Sequence, residues 1–244
     1  MKRLIKTAIL ALSIVLTPAT VAAADFVDTG TPDENVGIGL RFGLTSSNLH
    51  GNLDDYSNKA NYNWRTGFTF GAVVDLNVRN FFTVQPGLFF ENRSYDYTVI
   101  RHDKDLQALY NDLGHTRSYS FTIPILASFR FNLSESLQWT LDVGPYFAFG
   151  LGGKDNMEQI HAQVSPVSGN GDRYMDVTVK RDYYGDGMWQ HKSFDWGAKL
   201  GTSLRLNRQL VFAIYYMKGF KDISAYEPWT MRTKSWSFSV GYDF

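Results

Sequence analysis

Apolar and polar positions alternate with period two through most of this chain. The last ten residues show it most cleanly: Trp236, Phe238, Val240, Tyr242 and Phe244 share one parity, and Ser235, Ser237, Ser239, Gly241 and Asp243 the other. Such alternation is the mark of a β-strand with one apolar and one polar face. Near the start, Val36, Ile38, Leu40, Phe42 and Leu44 alternate with Gly37, Gly39, Arg41 and Gly43 in the same way. Further stretches at 62–78, 81–97, 118–133, 137–151, 193–206 and 209–220 follow the rule, so the pattern predicts eight strands. The stretch 209–220 is the least clean, because Val211, Ala213, Tyr215 and Met217 make its second face apolar too.

The connections between these strands alternate long and short. Residues 45–61, 98–117, 152–192 and 221–230 are long; Arg79-Asn80, 134–136 and Asn207-Arg208 are short enough for tight hairpin turns. A soluble sandwich obeys no such rule, whereas a membrane barrel has an even strand number, short turns at one end and long loops at the other. The expected fold is therefore all-β: an eight-stranded antiparallel transmembrane up-and-down β-barrel with short periplasmic turns and long extracellular loops. Its apolar parity would face lipid. The strands exceed the roughly 9–11 residues that cross a bilayer, so they should project beyond it. Pro86, Pro124 and Pro145 fall inside strands. A closed barrel offers no edge strand for a missing donor, so bulges or local breaks are expected there.

Composition agrees with this picture. Mean hydropathy is slightly polar at −0.25, as it must be when half of each strand faces a polar interior. The aromatic content of 16% suits interfacial girdles. A formal net charge of zero gives no reason to expect nucleic acid as a partner. Lys2, Arg3 and Lys6, the apolar run 4–16 and the small residues Ala22-Ala23-Ala24 read as a signal peptide over 1–24, so the mature chain would begin at Asp25. The apolar run is too short for a transmembrane anchor and meets Pro18. Residues 25–35 read as a short periplasmic lead and 36–244 as the barrel domain. With no cysteine, the chain is neither a lipoprotein nor a disulfide scaffold.

The polar parity carries the charges expected inside the barrel: Arg41, Arg65, Arg93, Arg130, Lys199 and Arg205 against Asp75, Glu91, Asp142, Asp195 and Asp243. Buried charges must pair, and eight strands leave an interior that side chains can fill. A filled core of ion pairs is expected, with a narrow small-solute channel as the alternative. On the apolar parity the exceptions are Lys218, Arg232 and Lys234, all near strand ends, where long side chains reach water.

Several phrases resemble a known family. They are Gly37-Ile38-Gly39-Leu40-Arg41-Phe42-Gly43, Val84-Gln85-Pro86-Gly87-Leu88, Ile123-Pro124-Ile125-Leu126, Gly144-Pro145-Tyr146, Gly150-Leu151-Gly152-Gly153, and Asp195-Trp196-Gly197-Ala198-Lys199-Leu200-Gly201. In this order they resemble the PorT-like outer-membrane beta-barrel family of Bacteroidetes, of OmpA/OmpX size, over nearly all of the mature chain. The resemblance implies that the three prolines belong to the family pattern. It also implies a Gram-negative outer-membrane location, with a link to type IX secretion through the family's namesake.

No catalytic, cofactor-binding or metal-binding residue is assigned. His50, His102, His115, His161 and His191 all fall in the predicted loops, with Asp103, Asp155 and Glu158 as nearby carboxylates, but no pair has zinc-site spacing. Asp182 and Asp186 resemble a calcium loop only loosely. Tyr174, Tyr183, Tyr184, Trp189 and Trp229 suit contacts with a protein or glycan ligand, or else rigidify extended hairpins. Residues 176–180 alternate like a strand, with Gly169-Asn170-Gly171 as a tip. The expected role is surface-loop binding, structural or secretion-associated. The channel is the first alternative; an enzyme at the barrel rim is the second, without a nucleophile motif to support it. Expected partners are outer-membrane lipid and, through the aromatic ending Tyr242 and Phe244, the barrel-assembly machinery.

Overall fold

The computed structural model describes residues 25–53, 59–103, 108–164, 172–227 and 229–244. The leader assigned to 1–24 and the tip at 169–171 lie outside the described residues. Among the described residues there are nine strands: β1 (Val36–Asn52), β2 (Lys59–Arg79), β3 (Phe82–Asp103), β4 (Ala108–Ser134), β5 (Leu137–Val164), β6 (Asp172–Asp182), β7 (Phe194–Leu206), β8 (Leu210–Gly219) and β9 (Thr230–Asp243). Every pairing between them is antiparallel. Eight form a closed ring in the order β1-β2-β3-β4-β5-β7-β8-β9, with β9 returning to β1. β6 is extra. It pairs only with the far half of β5, from Lys154↔Asp182 to Val164↔Asp172, while Leu137 to Phe149 of β5 pair with β7.

The ring is the expected one, but three of the expected loops are largely strand. β1 continues to Asn52, β3 and β4 run on to Asp103 and back from Ala108, and β5 runs to Val164. The alternation fades there for a physical reason. On β4, Asn111, His115 and Arg117 lie on one face and Asp112, Thr116 and Ser118 on the other, so both faces are largely polar. Beyond the apolar belt the outer face meets water, and neither parity need be hydrophobic. The result is a wall of five strands, β2 to β6, rising beyond one side of the ring.

The three prolines are not bulges. Register is unchanged across Pro86 (Val73↔Gly87, then Leu76↔Val84) and across Pro124 (Pro124↔Tyr146, then Ala127↔Val143), and Pro145 pairs with Ala198 in step with its neighbours. The ladder skips positions beside them instead, because a residue without an N–H drops bonds without requiring an extra residue. Register shifts occur elsewhere, among them one between Trp64 and Thr69.

Around the ring the apolar parity is exposed: Phe42 at 64%, Phe238 at 54% and Leu200 at 52% are fractions expected only of surfaces covered by something other than water. The short-turn end is tight. Asn207 and Arg208 both have positive φ, 50° and 60°, the type I′ geometry that matches strand twist. Residues 25–35 fold across this end: Phe26 stacks on Phe131 at 5.1 Å, Asn80 N–H donates to the Gly30 carbonyl, and Asn132 N–H donates to that of Phe26.

Candidate functional site in the bore and at its long-loop mouth

Ion pairs fill the bore in two layers. In the layer nearer the short turns, Asp75 of β2 accepts from Arg130 Nη2 of β4 at 2.6 Å, Arg205 Nη2 of β7 at 3.0 Å and Gln85 Nε2 of β3 at 2.6 Å. Arg205 also reaches Asp243 of β9 at 2.8 Å, which pairs with Arg41 of β1 at 2.6 Å. These side chains span the ring from six strands. Farther along, Glu91 accepts from Arg93 Nη2 at 2.7 Å and the Thr122 hydroxyl at 2.8 Å, and Arg93 approaches Asp195 at 3.5 Å. Asp195 also accepts from the Tyr146 and Thr233 hydroxyls, at 3.0 and 2.7 Å. Between the layers, Asp142 accepts from the Tyr215 hydroxyl at 2.9 Å. Lys199 Nζ sits 4.7 Å from the Phe89 ring centre and 4.4 Å from that of Tyr215, where the ring quadrupoles favour a cation.

Arg65 is a correction. Its alternation parity assigns it to the bore, but the register slip between Trp64 and Thr69 turns it to the outer wall. There its side chain is 38% exposed and pairs with Asp96 at 3.0 Å. Without Arg65 the remaining ten residues are five cations and five anions. At the short-turn end Asp75, Arg130, Arg205 and Asp243 line a vestibule of about 410 Å³ together with Asp28, Asp33 and Glu34; deeper in the bore the space left is small, with cavities of about 10 Å³ beside Arg41, Gln85 and Lys199, about 10 Å³ beside Arg130 and Asp142, and about 30 Å³ beside Arg93 and Asp195. Each admits a water or two.

The long-loop mouth is closed by an aromatic cluster that joins residues of the expected loops 45–61, 152–192 and 221–230 to Tyr95 and Tyr97 of β3. Leu49, Tyr95, Tyr97, Met157, Tyr183, Ile223, Trp229 and Met231 are buried together, Trp229 at 1% exposure. Trp189 stacks on Tyr97 and meets Trp229 edge-on at 4.8 Å. Gly150 leaves room for the Tyr184 ring and Gly114 for Tyr97, positions that a Cβ would block. The segment after β6 is tied down at both ends: Tyr183 N–H donates to the Gly153 carbonyl and Lys192 N–H to that of Ile223.

The histidines whose side chains are described, His50, His115 and His191, are not gathered. His50 and His115 are exposed, His115 with Asp96 at 2.8 Å, and the side chains of His102 and His161, like those of Asp103 and Tyr174, lie outside the described residues. Asp182 pairs with Lys154 at 2.6 Å rather than facing Asp186 in a cation loop. Among the described residues no three His, Asp or Glu side chains are grouped to hold a metal.

His191 is buried in the mouth. Its ring stacks on Tyr183 at 4.3 Å and its Nε2 is 3.1 Å from the Tyr95 hydroxyl. Burial pushes its pKa from 6.5 down to about 4; Arg181 lowers it further, while the Tyr183 carbonyl and Asp222 oppose the fall. Nearby Asp155 accepts from Tyr97 and from Arg181 Nε at 2.8 Å, and burial raises its pKa despite the guanidinium. A histidine depressed on folding contributes its full stability above pH 6.5 and loses it as pH falls towards 4. That loss is worth roughly 3 kcal/mol of mouth stability. We expect proteolysis within 183–193 to accelerate between pH 7 and pH 4.5, and His191→Gln to flatten the profile; Asp155, acting in the opposite sense, stays common to both proteins.

Residues 26–225 match the family profile of the outer membrane protein beta-barrel domain. The chain belongs to that family. It is an outer-membrane β-barrel protein, and its apolar belt faces the lipid of a Gram-negative outer membrane. Among solved structures it is similar to Ail of Yersinia pestis, determined with the heparin analogue sucrose octasulfate, at 14% identity and TM-score 0.39, covering 86% of this chain and all of that one. It is also similar to OprG of Pseudomonas aeruginosa, at 13% identity and TM-score 0.39 over 89% of this chain and 99% of that one. Neisserial surface protein A gives 11% identity and TM-score 0.36 over 86% of this chain and all of the other. No curated protein sequence matches.

Proposed function

We propose that this barrel is a non-enzymatic surface-recognition scaffold, with a bore closed by side chains and the β2–β6 wall displayed outside the cell as the platform for a protein or glycan partner. In this reading residues 25–35 and the short turns face the periplasm. The observation that carries it is the wall itself: β5 and β6 extend from Lys154↔Asp182 to Val164↔Asp172, well past the ring, on a base stiffened by the buried aromatic cluster. A pre-formed, rigid platform lowers the ordering cost of binding. A secretion-associated role, as the PorT-like phrases imply, would use the same wall as its contact.

The absence of cysteine makes orientation directly testable. A membrane-impermeant maleimide should label Glu158→Cys on intact cells and Arg208→Cys only after permeabilisation; the reverse result would overturn the orientation. Lys154 and Asp182 are already cross-strand partners, so residues 155–181 can be excised and replaced by a short turn. The excised barrel should keep its heat-dependent gel shift yet lose binding of the purified protein to glycan arrays and to surface proteins of the same cells. Binding undiminished by excision would contradict the platform. The terminal Phe244 is 71% exposed beside Tyr242, as suits a signal read by the barrel-assembly machinery. Its deletion should lower surface levels several-fold on immunoblots without changing the unfolding midpoint of the protein that does insert.

A further inference from the structure

We propose that the outer wall of the barrel carries a binding site for the phosphate of a membrane lipid, centred on Arg117 and Lys154. Along the outer face of β4, exposed Phe129, Ile125, Ile123 and Phe121 lead to Tyr119 and then to Arg117 and His115. On β5, Val143, Phe149 and Leu151 lead to Lys154. The surface thus changes from apolar to cationic within about one turn of the pleat on both strands, at the long-loop edge of the lipid-facing belt. A cleft of about 560 Å³ opens at that edge, lined by Arg65, His115, Arg117, Tyr119, Lys154 and Asp182 among others.

The charges in the cleft are not balanced from within. Lys154 has Asp182 at 2.6 Å, and Arg65 and His115 share Asp96 at 3.0 and 2.8 Å. Arg117 has no carboxylate within ion-pair distance among the described residues, and it is the direct cross-strand partner of Lys154. Like charges facing each other across a ladder repel, and an anion between them relieves that. A guanidinium fork and an ammonium together suit phosphate oxygens.

The position selects a lipid over a free anion. The Lys154 side chain is 68% exposed, so a small anion there would be held weakly and screened by salt. A lipid adds acyl-chain contact with the exposed Phe121, Phe149 and Leu151 on the same two strands, and its phosphate sits at the interface where the apolar belt ends. The site lies at the base of the proposed recognition wall and does not depend on that role.

The test uses the full barrel purified in a neutral detergent, with dioleoyl phosphatidic acid, dioleoyl phosphatidylcholine and inorganic phosphate as probes. Phosphatidic acid is expected to raise the midpoint of heat-dependent unfolding and to survive as a one-lipid adduct in native mass spectrometry; the other two are expected to do neither. The pair Arg117→Gln with Lys154→Gln should weaken phosphatidic acid binding at least about tenfold. Both residues are exposed, so folding should survive, and Arg117→Glu supplies a second variant with the same expected loss. Arg208→Gln at the opposite end should bind like the parent. Equal retention by the double variant, or an equal shift with phosphatidylcholine, would overturn the site. An equal shift with inorganic phosphate would overturn the assignment to a lipid.

Discussion

Replacing Asp75 by alanine is expected to destabilise the barrel by about 3–5 kcal/mol. Asp75 holds Arg130, Arg205 and Gln85 at once, and its side chain is 8% exposed. Its removal leaves Arg130 buried without its only close carboxylate among the described ion pairs, while Arg205 retains Asp243. An unpaired buried charge costs several kcal/mol because neither water nor a counter-ion solvates it. The measurement is the urea midpoint of unfolding in detergent micelles, read from the heat-dependent gel shift. Asp96→Ala is the contrast, since the Arg65–Asp96 pair is more than one-third exposed and such pairs contribute about 0–1 kcal/mol. Changing Asp75 to leucine together with Arg130 to methionine should recover most of the loss, because an apolar pair of similar volume replaces the ion pair. Equal midpoints for Asp75→Ala and Asp96→Ala would refute the claim that the bore is a desolvated charge network.

Trp229→Ala should cost the mouth about 3–5 kcal/mol, the usual range for truncating a buried large aromatic. Trp229 is among the most buried large side chains and touches Trp189 and Tyr226 edge-on at 4.8 and 5.1 Å. The effect should stay local. The ring of eight strands below has its own hydrogen-bonded closure, so the gel shift should persist while protease cuts the 183–193 segment far faster. If Trp229→Ala leaves that segment as resistant as the parent, the aromatic cluster is not what seals the mouth.

These two sites differ in how far the sequence disclosed them. Asp75, Arg130, Arg205 and Asp243 sit on strands whose opposite parity is strongly apolar, so their inward direction follows from alternation alone. Arg65 breaks the rule because an irregularity of register between Trp64 and Thr69 reverses faces, and nothing in the local composition marks it. The outer halves of β3, β4 and β5 were hidden for another reason: water on one side and a polar mouth on the other remove the hydrophobic half of the signal. Tyr183 and Trp229 were legible as aromatic residues in connecting segments, but their convergence with Tyr95 and Met157 is a tertiary fact. The available signal was the aromatics within the connecting segments themselves, Tyr183, Tyr184 and Trp189 before β7 and Tyr226 and Trp229 before β9. The prolines produce the local breaks expected of them and not the bulges, because a missing donor interrupts a ladder without displacing it.

Ten charged side chains fill the bore, with cavities of only about 10–30 Å³ above the vestibule of about 410 Å³ at its short-turn end. Planar-bilayer recording tests this most directly. The purified barrel, inserted in a lipid bilayer in molar potassium chloride, should give no stable single-channel steps above the lipid baseline, and Asp75→Ala should not create a regular one. Reproducible unitary conductance from the parent protein would contradict the filled bore and make the narrow channel the better description.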